Sequence, residues 1–390
     1  MDILLICFEY PPIGGGGGVG AQLYAESWAA KGHRVTVLTS RSMDLPAKET
    51  VNGVKVIRVH AIGRRNRATS TVLSMLSYII VGIVYLFIHR RAFQHVQVLS
   101  THFSIPSGPV GYLASKLLRS PNVLTIVGGD IYDPTKRSSP HLNGLLRMIN
   151  RWVINGADRV VAISSDTKRR SEKYYGISRK IEVINYGFKS GIDQDVVAVK
   201  NPRPKKFYLI AVGRLVSRKG FHYLIAAMAH LPDEIELRLV GDGPLESTLR
   251  RTAKNFGVEH RVHLLGYQCR AHIRQHLHNA DCFVLPSLHE GLGIVVQEAM
   301  FAGLPVVATD NGGQVDLIND QRNGLLVGVR DEVAMAKAIH RVYNNPDLAA
   351  SMGKNNLADI RAMDIDKNCE HYIELFYDLV LPGSVNPESA

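Results

Sequence analysis

Acidic residues are scarce relative to basic ones: 35 Asp and Glu stand against 46 Lys and Arg over 390 residues, a net charge of +11. That balance calls for an anionic partner: nucleic acid, a phosphate-rich small molecule or an acidic membrane surface. Aromatic residues make up only 7%, and no helix-turn-helix, zinc-finger or RNA-binding signature is present, which sets nucleic acid aside. Cysteine is scarcer still. Cys7, Cys269, Cys282 and Cys369 lie far apart with no CxxC pair, so neither a disulfide framework nor a zinc site is expected, and a reducing cytoplasm fits. The opening MDILLICFEYPP lacks a basic leader and a small-residue cleavage site, and its apolar run reads as a first strand.

One stretch lacks charge altogether: TSTVLSMLSYIIVGIVYLFI, residues 69–88, flanked by Arg64, Arg65 and Arg67 before it and Arg90 and Arg91 after it. Its length permits a membrane span. The strands expected before and after it belong to one sheet, however, and a span would divide them across a bilayer. Ser, Thr and Gly also dilute its apolar character. A helix buried in the domain and a helix lying in a membrane interface stay open as readings, and the flanking arginines would each contribute roughly 1 kcal/mol at an anionic surface.

What is present is a repeated alternation. DILLICF, RVTVLTS, VKVIRVH, VQVLST, NVLTIV, RVVAIS and KIEVIN read as strands with helices between them, the signature of a parallel sheet covered on both faces. KNPRPKK, residues 200–206, reads as a linker. The alternation then restarts with FYLIAVG, EIELRLVG, RVHLLG, DCFVLPS, PVVAT and GLLVG. The fold class is therefore α/β, with two doubly wound Rossmann-like domains over 1–200 and 201–366. The amphipathic stretch 367–380 is expected to pack back on the first. Ligands of such sheets bind outside the carboxyl ends of the strands, so two facing domains predict one interdomain cleft.

Residues 10–20, YPPIGGGGGVG, place five consecutive glycines after the first strand. Each costs folding entropy, but together they let backbone N–H groups of Gly15, Gly16 and Gly17 close around a ligand phosphate before a helix expected to start near Val19. A dinucleotide site of the Rossmann type is an alternative. It needs an acidic residue at the end of the second strand, which reads VTVLTSR instead.

Three motifs lie in the second half. HEGLGIVVQEAM places Glu290 in a loop after a strand, followed by Gly291, Leu292 and Gly293, and Glu298 inside the next helix, whose N-terminus faces anionic oxygens. VGRLVSRKG sets Arg214 and Lys219 after another strand, two cations suited to a diphosphate that gains charge as its terminal bond breaks, which removes the need for a metal. LVGDGP puts Gly241, Asp242 and Gly243 in a turn that suits a nucleoside lying against backbone. Two DxD triplets, Asp193 to Asp195 and Asp364 to Asp366, invite a metal reading, but neither follows an expected strand end.

In this order, GRLVSRKG, VGDGP, HEGLGIVVQEAM and AGLPVVATDNGG resemble the GT-B glycosyltransferases of family 4, over nearly the whole chain. The resemblance implies transfer of a sugar from a nucleotide donor, a UDP- or GDP-sugar, with retention of configuration and no essential metal. It implies that Arg214 and Lys219 hold the donor diphosphate, Glu298 the ribose hydroxyls, and Glu290 with the Gly291 to Gly293 backbone the transferred sugar. The turn at Gly241 to Gly243 would border the base, and the glycine run would close over phosphate or acceptor. The implied acceptor is a glycan or lipid-linked glycan, and the implied location the cytoplasm or the inner face of an anionic plasma membrane. One departure stands out: Val127 occupies a position where many members carry a His that touches the donor sugar or helps deprotonate the acceptor. Asp130 and His102 are the substitutes as base. A sugar-nucleotide binder without turnover is the alternative that this departure raises.

Overall fold

The computed structural model describes residues 1–42, 44–64, 70–189 and 206–381. The chain forms two compact units, one of Met1–Gly187 with Ile365–Ala390, the other of Phe188–Asp364.

The first unit holds β1 (Asp2–Cys7), β2 (Arg34–Arg41), β3 (Lys48–Val51), β4 (Val54–His60), β5 (Val98–His102), β6 (Asn122–Ile126), β7 (Arg159–Ala162) and β8 (Ile181–Val183) in one sheet, ordered β3-β4-β2-β1-β5-β6-β7-β8. All neighbours pair in parallel except β3 with β4. Its helices are α1 (Gly16–Ala30), α2 (Val72–Ile88), α3 (Ser107–Leu118), α4 (Gly144–Gly156) and α5 (Ser165–Tyr175). Central strands such as β1, β5 and β6 are buried along nearly their whole length, which is why they read as continuous apolar runs rather than alternating ones. Side chains start several helices: Thr71 and Ser74 form a capping box on α2, Asn143 caps α4 and Ser164 caps α5.

The second unit holds β9 (Phe207–Val212), β10 (Ile235–Val240), β11 (Val262–Leu264), β12 (Cys282–Leu285), β13 (Val306–Thr309) and β14 (Gly324–Val327), a parallel sheet ordered β11-β10-β9-β12-β13-β14. Its helices are α6 (Phe221–Met228), α7 (Glu246–Asn255), α8 (Arg270–His278), α9 (Ile294–Phe301), α10 (Glu332–Tyr343) and α11 (Pro346–Ala362). The final helix, α12 (Ile365–Val380), belongs to the first unit. There Tyr372 and Phe376 pack on Trp28 of α1, and the Tyr372 hydroxyl shares a 2.8 Å hydrogen bond with Thr125 of β6. At the change of unit, Phe188 bridges to Asp364 and its N–H donates to the Met363 carbonyl at 2.8 Å. Residues 200–205 of the expected linker, and Asp193 and Asp195, lie outside the described residues.

Two expectations are corrected. α1 starts at Gly16, not near Val19, so the glycine run forms its first turn. Arg64 is not a surface charge beside α2: it is buried, with its guanidinium 4.7 Å over the Phe8 ring. No described helix is long and apolar enough to cross a membrane. α2 packs Tyr78 and Leu86 into the core but leaves many apolar side chains exposed.

Candidate functional site

Both sheets reverse their winding direction once, and the glycine-rich loops lie at those points. In the second unit the chain builds outward from β9 to β11 on one side and from β12 to β14 on the other, so the crevice beyond β9 and β12 is the topological switch point. Arg214 and Lys219 follow β9, and Glu290 follows β12. Lys219 Nζ donates to Glu290 Oε1 at 2.7 Å across that crevice, and Ser287 Oγ donates to the same oxygen at 2.7 Å. Both charged side chains are largely covered, at 13% and 9% exposure. Burial opposes ionisation of Glu290, but the charges of Lys219 and Arg218 and the two hydrogen bonds outweigh it and hold the carboxyl at about 2.

The loops around this pair are fastened by backbone. Leu288 N donates to Arg218 O at 2.8 Å, Gly313 N to Glu290 O at 2.9 Å, and Asn311 Nδ2 to Leu288 O at 2.7 Å. The approach is so close that a Cβ on Gly313 would stand 1.9 Å from the Gly291 carbonyl oxygen. Beyond β10, Asp242 accepts from Leu215 N at 2.7 Å, which ties the Gly241 to Gly243 turn to the Arg214 loop. Asp242 and Arg214 have exposed side chains.

Gly293, at φ 97°, precedes α9 with no side chain capping the helix, which leaves its positive end open to a ligand oxygen. Leu292 is buried. Glu298, one turn into α9, pairs with Arg270 of α8 at 3.4 Å. Burial raises its pKa, and the neighbouring Arg270 and Arg274 offset only part of that rise.

In the first unit the switch point lies between β1 and β5, where Phe8 N donates to Ser107 Oγ at 2.9 Å. Gly15 N donates to Glu9 Oε2 at 3.2 Å. A Cβ on Gly17 would meet Phe103 at 2.6 Å and Val127 at 2.8 Å, whereas one on Gly15 would meet nothing within 4 Å. Val127 thus packs against the glycine turn. Asp130 accepts from Gly128 N at 2.7 Å and Ser104 N at 2.6 Å, with Ser104 Oγ at 3.1 Å and Val127 N at 3.2 Å. Those donors occupy the carboxylate from both sides, so its geometry clamps the loop after β6. Burial raises its pKa against the effect of these bonds. His102 is fully buried among Tyr24, Tyr186 and Tyr372, with ring centroids 6.3 to 6.5 Å away. Burial pushes its pKa to about 3, leaving a neutral ring.

The structure brings Lys219 and Glu290 together and sets Arg214 in the same loop as Lys219. It pairs Glu298 with Arg270, and it seats His102 inside the core rather than at a surface. Sequence reasoning missed Ser287, Arg218, Arg270 and Ser104. Ser287 alone carried a signal, three residues before Glu290 at the end of DCFVLPS. Among the described residues no His, Cys, Asp and Glu cluster is arranged to hold a metal ion.

Residues 15–187 match the glycosyl transferase 4-like domain and residues 193–358 match glycosyl transferases group 1. An uncharacterised glycosyltransferase of Methanocaldococcus jannaschii is 29% identical over 360 residues, 88% of this chain and 90% of its own. Sucrose-phosphate synthase from Thermosynechococcus elongatus has a similar structure, with a TM-score of 0.84 at 22% identity over 98% of this chain and 100% of its own. Anabaena HepE in complex with UDP-glucose gives 0.75 at 20% identity over 97% and 100%. With two family matches in series along most of its length and two doubly wound units to carry them, the chain belongs to the GT-B glycosyltransferases, a glycosyl transferase 4-like domain joined to a group 1 domain, and is a transferase enzyme.

Proposed function

We propose that this glycosyltransferase moves a sugar from a UDP- or GDP-sugar onto a hydroxyl of a glycan or lipid-linked glycan, in the cytoplasm, with retention of configuration and without an essential metal. The observation that carries the reading is the Lys219–Glu290 pair, 2.7 Å apart across the switch point beyond β9 and β12, where open α/β sheets bind ligands. That the similar Anabaena structure holds UDP-glucose supports a uridine donor.

In this reading the second unit holds the donor and the first the acceptor. Lys219 and Arg214 meet the diphosphate, whose charge grows as its bond to the sugar breaks. Glu290, ionised throughout the neutral range, is a poor base and a good fixed acceptor for a sugar hydroxyl. Its charge also favours the positive character that develops at the anomeric carbon. Backbone N–H groups from Gly291 to Gly293 and the open end of α9 take sugar and phosphate oxygens. Glu298 accepts from the ribose hydroxyls, the Gly241–Asp242–Gly243 turn borders the base, and in the first unit Gly16 and Gly17, the first residues of α1, offer N–H groups, while that of Gly15 is taken by Glu9.

The bond from the anomeric carbon to the terminal phosphate oxygen breaks as the acceptor oxygen attacks that carbon from the same face. The acceptor proton passes to the departing phosphate oxygen, so no side chain is required as base. This suits a site in which Val127 stands where a His is common, Asp130 is taken up by backbone donors and His102 is enclosed. Asp130 then acts as a positioning residue.

The test is a panel of nucleotide sugars screened for thermal stabilisation, followed by assignment of the anomeric configuration of the product by NMR. We expect retention, activity undiminished by a chelator, and loss of transfer in Glu290→Gln with donor stabilisation kept. An inverted product, or a glycosyl adduct trapped on Glu290 or Asp130, overturns the mechanism.

A further inference from the structure

From residue 50 to residue 157 the chain carries 13 Lys and Arg but only two acidic residues, Asp130 and Asp133, and both of those are buried. This span builds α2, α3 and α4, which pack in that order. A Cβ on Gly82 of α2 would meet Val110 of α3 at 3.4 Å, and the rings of Tyr112 in α3 and Trp152 in α4 are 4.5 Å apart.

α2 lacks the polar outer side of a helix in water. Its buried side holds Ser74, Ser77, Tyr78, Gly82 and Leu86, while Leu73, Leu76, Ile80, Val84 and Phe87, spaced three and four residues apart, are 48% to 63% exposed. A helix packed on a core carries polar and charged residues on that outer side. α4 repeats the pattern with Leu145, Met148 and Trp152 exposed, and a shallow depression there is lined by Met148, Arg151, Trp152, Asn155 and Gly156. Leu113 of α3, 40% exposed, lies on the helix between them. Single exposed apolar residues need no explanation, but two parallel stripes on one side of a unit do.

We propose that the α2–α3–α4 face is a docking surface for an anionic lipid bilayer, which it meets side-on without crossing. Arg90, Arg91, Lys116, Arg119, Arg147 and Arg151 are exposed on or beside these helices, and the span has no exposed carboxylate among them. Apolar side chains with Arg and a half-exposed Trp are the composition of an interfacial helix. A 17-residue α2 is about 25 Å long at 1.5 Å per residue, short of the roughly 30 Å hydrocarbon core. A second copy of the chain docking by the same face would bring like charges together with no carboxylate from this span to answer them. The inference deepens the acceptor reading above, since a lipid-linked acceptor would be met at the same surface. It is tested without donor or acceptor, so the two fail separately.

The test uses the full chain with vesicles of phosphatidylcholine alone or mixed with phosphatidylglycerol. Of the two tryptophans, Trp28 is wholly buried and Trp152 is 41% exposed, so a blue shift of emission on adding vesicles reports Trp152 in the unmodified protein. We expect the shift and co-sedimentation with phosphatidylglycerol vesicles, both weakened by salt. Removing a cation should cost about fivefold in partitioning, so Arg147→Ser with Arg151→Ser loses more than tenfold. Leu76→Ser with Ile80→Ser loses at least as much, with circular dichroism and the thermal unfolding midpoint showing an intact fold. Equal binding to phosphatidylcholine alone, or binding that survives both pairs of substitutions, overturns the proposal. So does a failure to bind vesicles, whether the protein is monomeric or forms a dimer that the same substitutions dissolve.

Discussion

Glu290 carries its charge where burial works against it, and the groups that keep it ionised set its pH dependence. Its carboxyl is held at about 2 against an ordinary value of 4.5. A carboxyl depressed on folding contributes stability that is full above its unfolded value and is lost as pH falls through the folded one. The contribution, on the order of 3 kcal/mol, is therefore complete above about pH 4.5 and disappears toward pH 2. Thermal unfolding followed from pH 6 down to pH 2 should show a steep loss in that window for the native protein, and a shallower one for Glu290→Gln. Ser287 makes a second prediction. It supplies one of the two hydrogen bonds on Glu290 Oε1, and hydrogen bonds to charged groups are worth about 1.5 to 3 kcal/mol. Ser287→Ala should lower kcat/KM by about tenfold or more, read by steady-state kinetics, with the fold intact. Glu290 was legible in the sequence because an acid beside Gly-Leu-Gly at a strand end has few structural uses. Ser287 left only its place three residues before Glu290 as a cue, faint because a serine after a strand is commonplace, and Arg270 left none, because α8 is polar around much of its circumference.

At the scale of elements the glycine run shows what a sequence hides. Five glycines in a row look like a loop, since each weakens a helix by up to about 1 kcal/mol, yet α1 begins at Gly16. Tertiary packing overrides the propensity: the helix needs small residues because its neighbours come so close. A Cβ on Gly20 would lie 2.5 Å from the Tyr186 ring, and one on Gly18 would lie 2.7 Å from the Glu9 carbonyl oxygen. Gly15 differs, with nothing within 4 Å of its Cβ position and an ordinary φ of −127°. Gly20→Ala should therefore destabilise the protein by about 1 to 3 kcal/mol through overpacking, seen as a lower Tm. Gly15→Ala should leave Tm unchanged and still reduce turnover, because the methyl enters space that the proposed site needs. The parallel strands were legible throughout, since burial on both faces leaves unmistakable apolar runs. β3 was not, because KETV is a polar, exposed edge strand. The missed cue was Asn52–Gly53, both at positive φ, the dipeptide of a tight hairpin.

For the whole molecule, the order of the chain and the order of folding units differ. α12 follows the second unit in sequence but completes the core of the first, where Trp28, Tyr372, Phe376 and Tyr24 form one aromatic cluster. The amphipathic pattern at 367–380 made a return helix legible. The crossing of the chain beside Phe188 and Asp364 was not, because it rests on a single backbone bridge with no composition of its own. Truncating Tyr372 should cost about 3 to 5 kcal/mol, as for other large buried aromatics, and the loss should fall on the first unit. Both tryptophans of the chain, Trp28 and Trp152, lie in that unit, so their fluorescence follows its unfolding while calorimetry follows both units. Tyr372→Ala should lower the fluorescence midpoint and leave a calorimetric component in place. A nucleotide sugar at 100 times its Kd stabilises whatever binds it by about 2.7 kcal/mol, and a donor held by the second unit should raise that remaining component in Tyr372→Ala and native protein alike. If the donor instead raised only the fluorescence midpoint, the nucleotide would be bound by the first unit, and the assignment of Lys219, Glu290 and Glu298 to donor binding would fall with it.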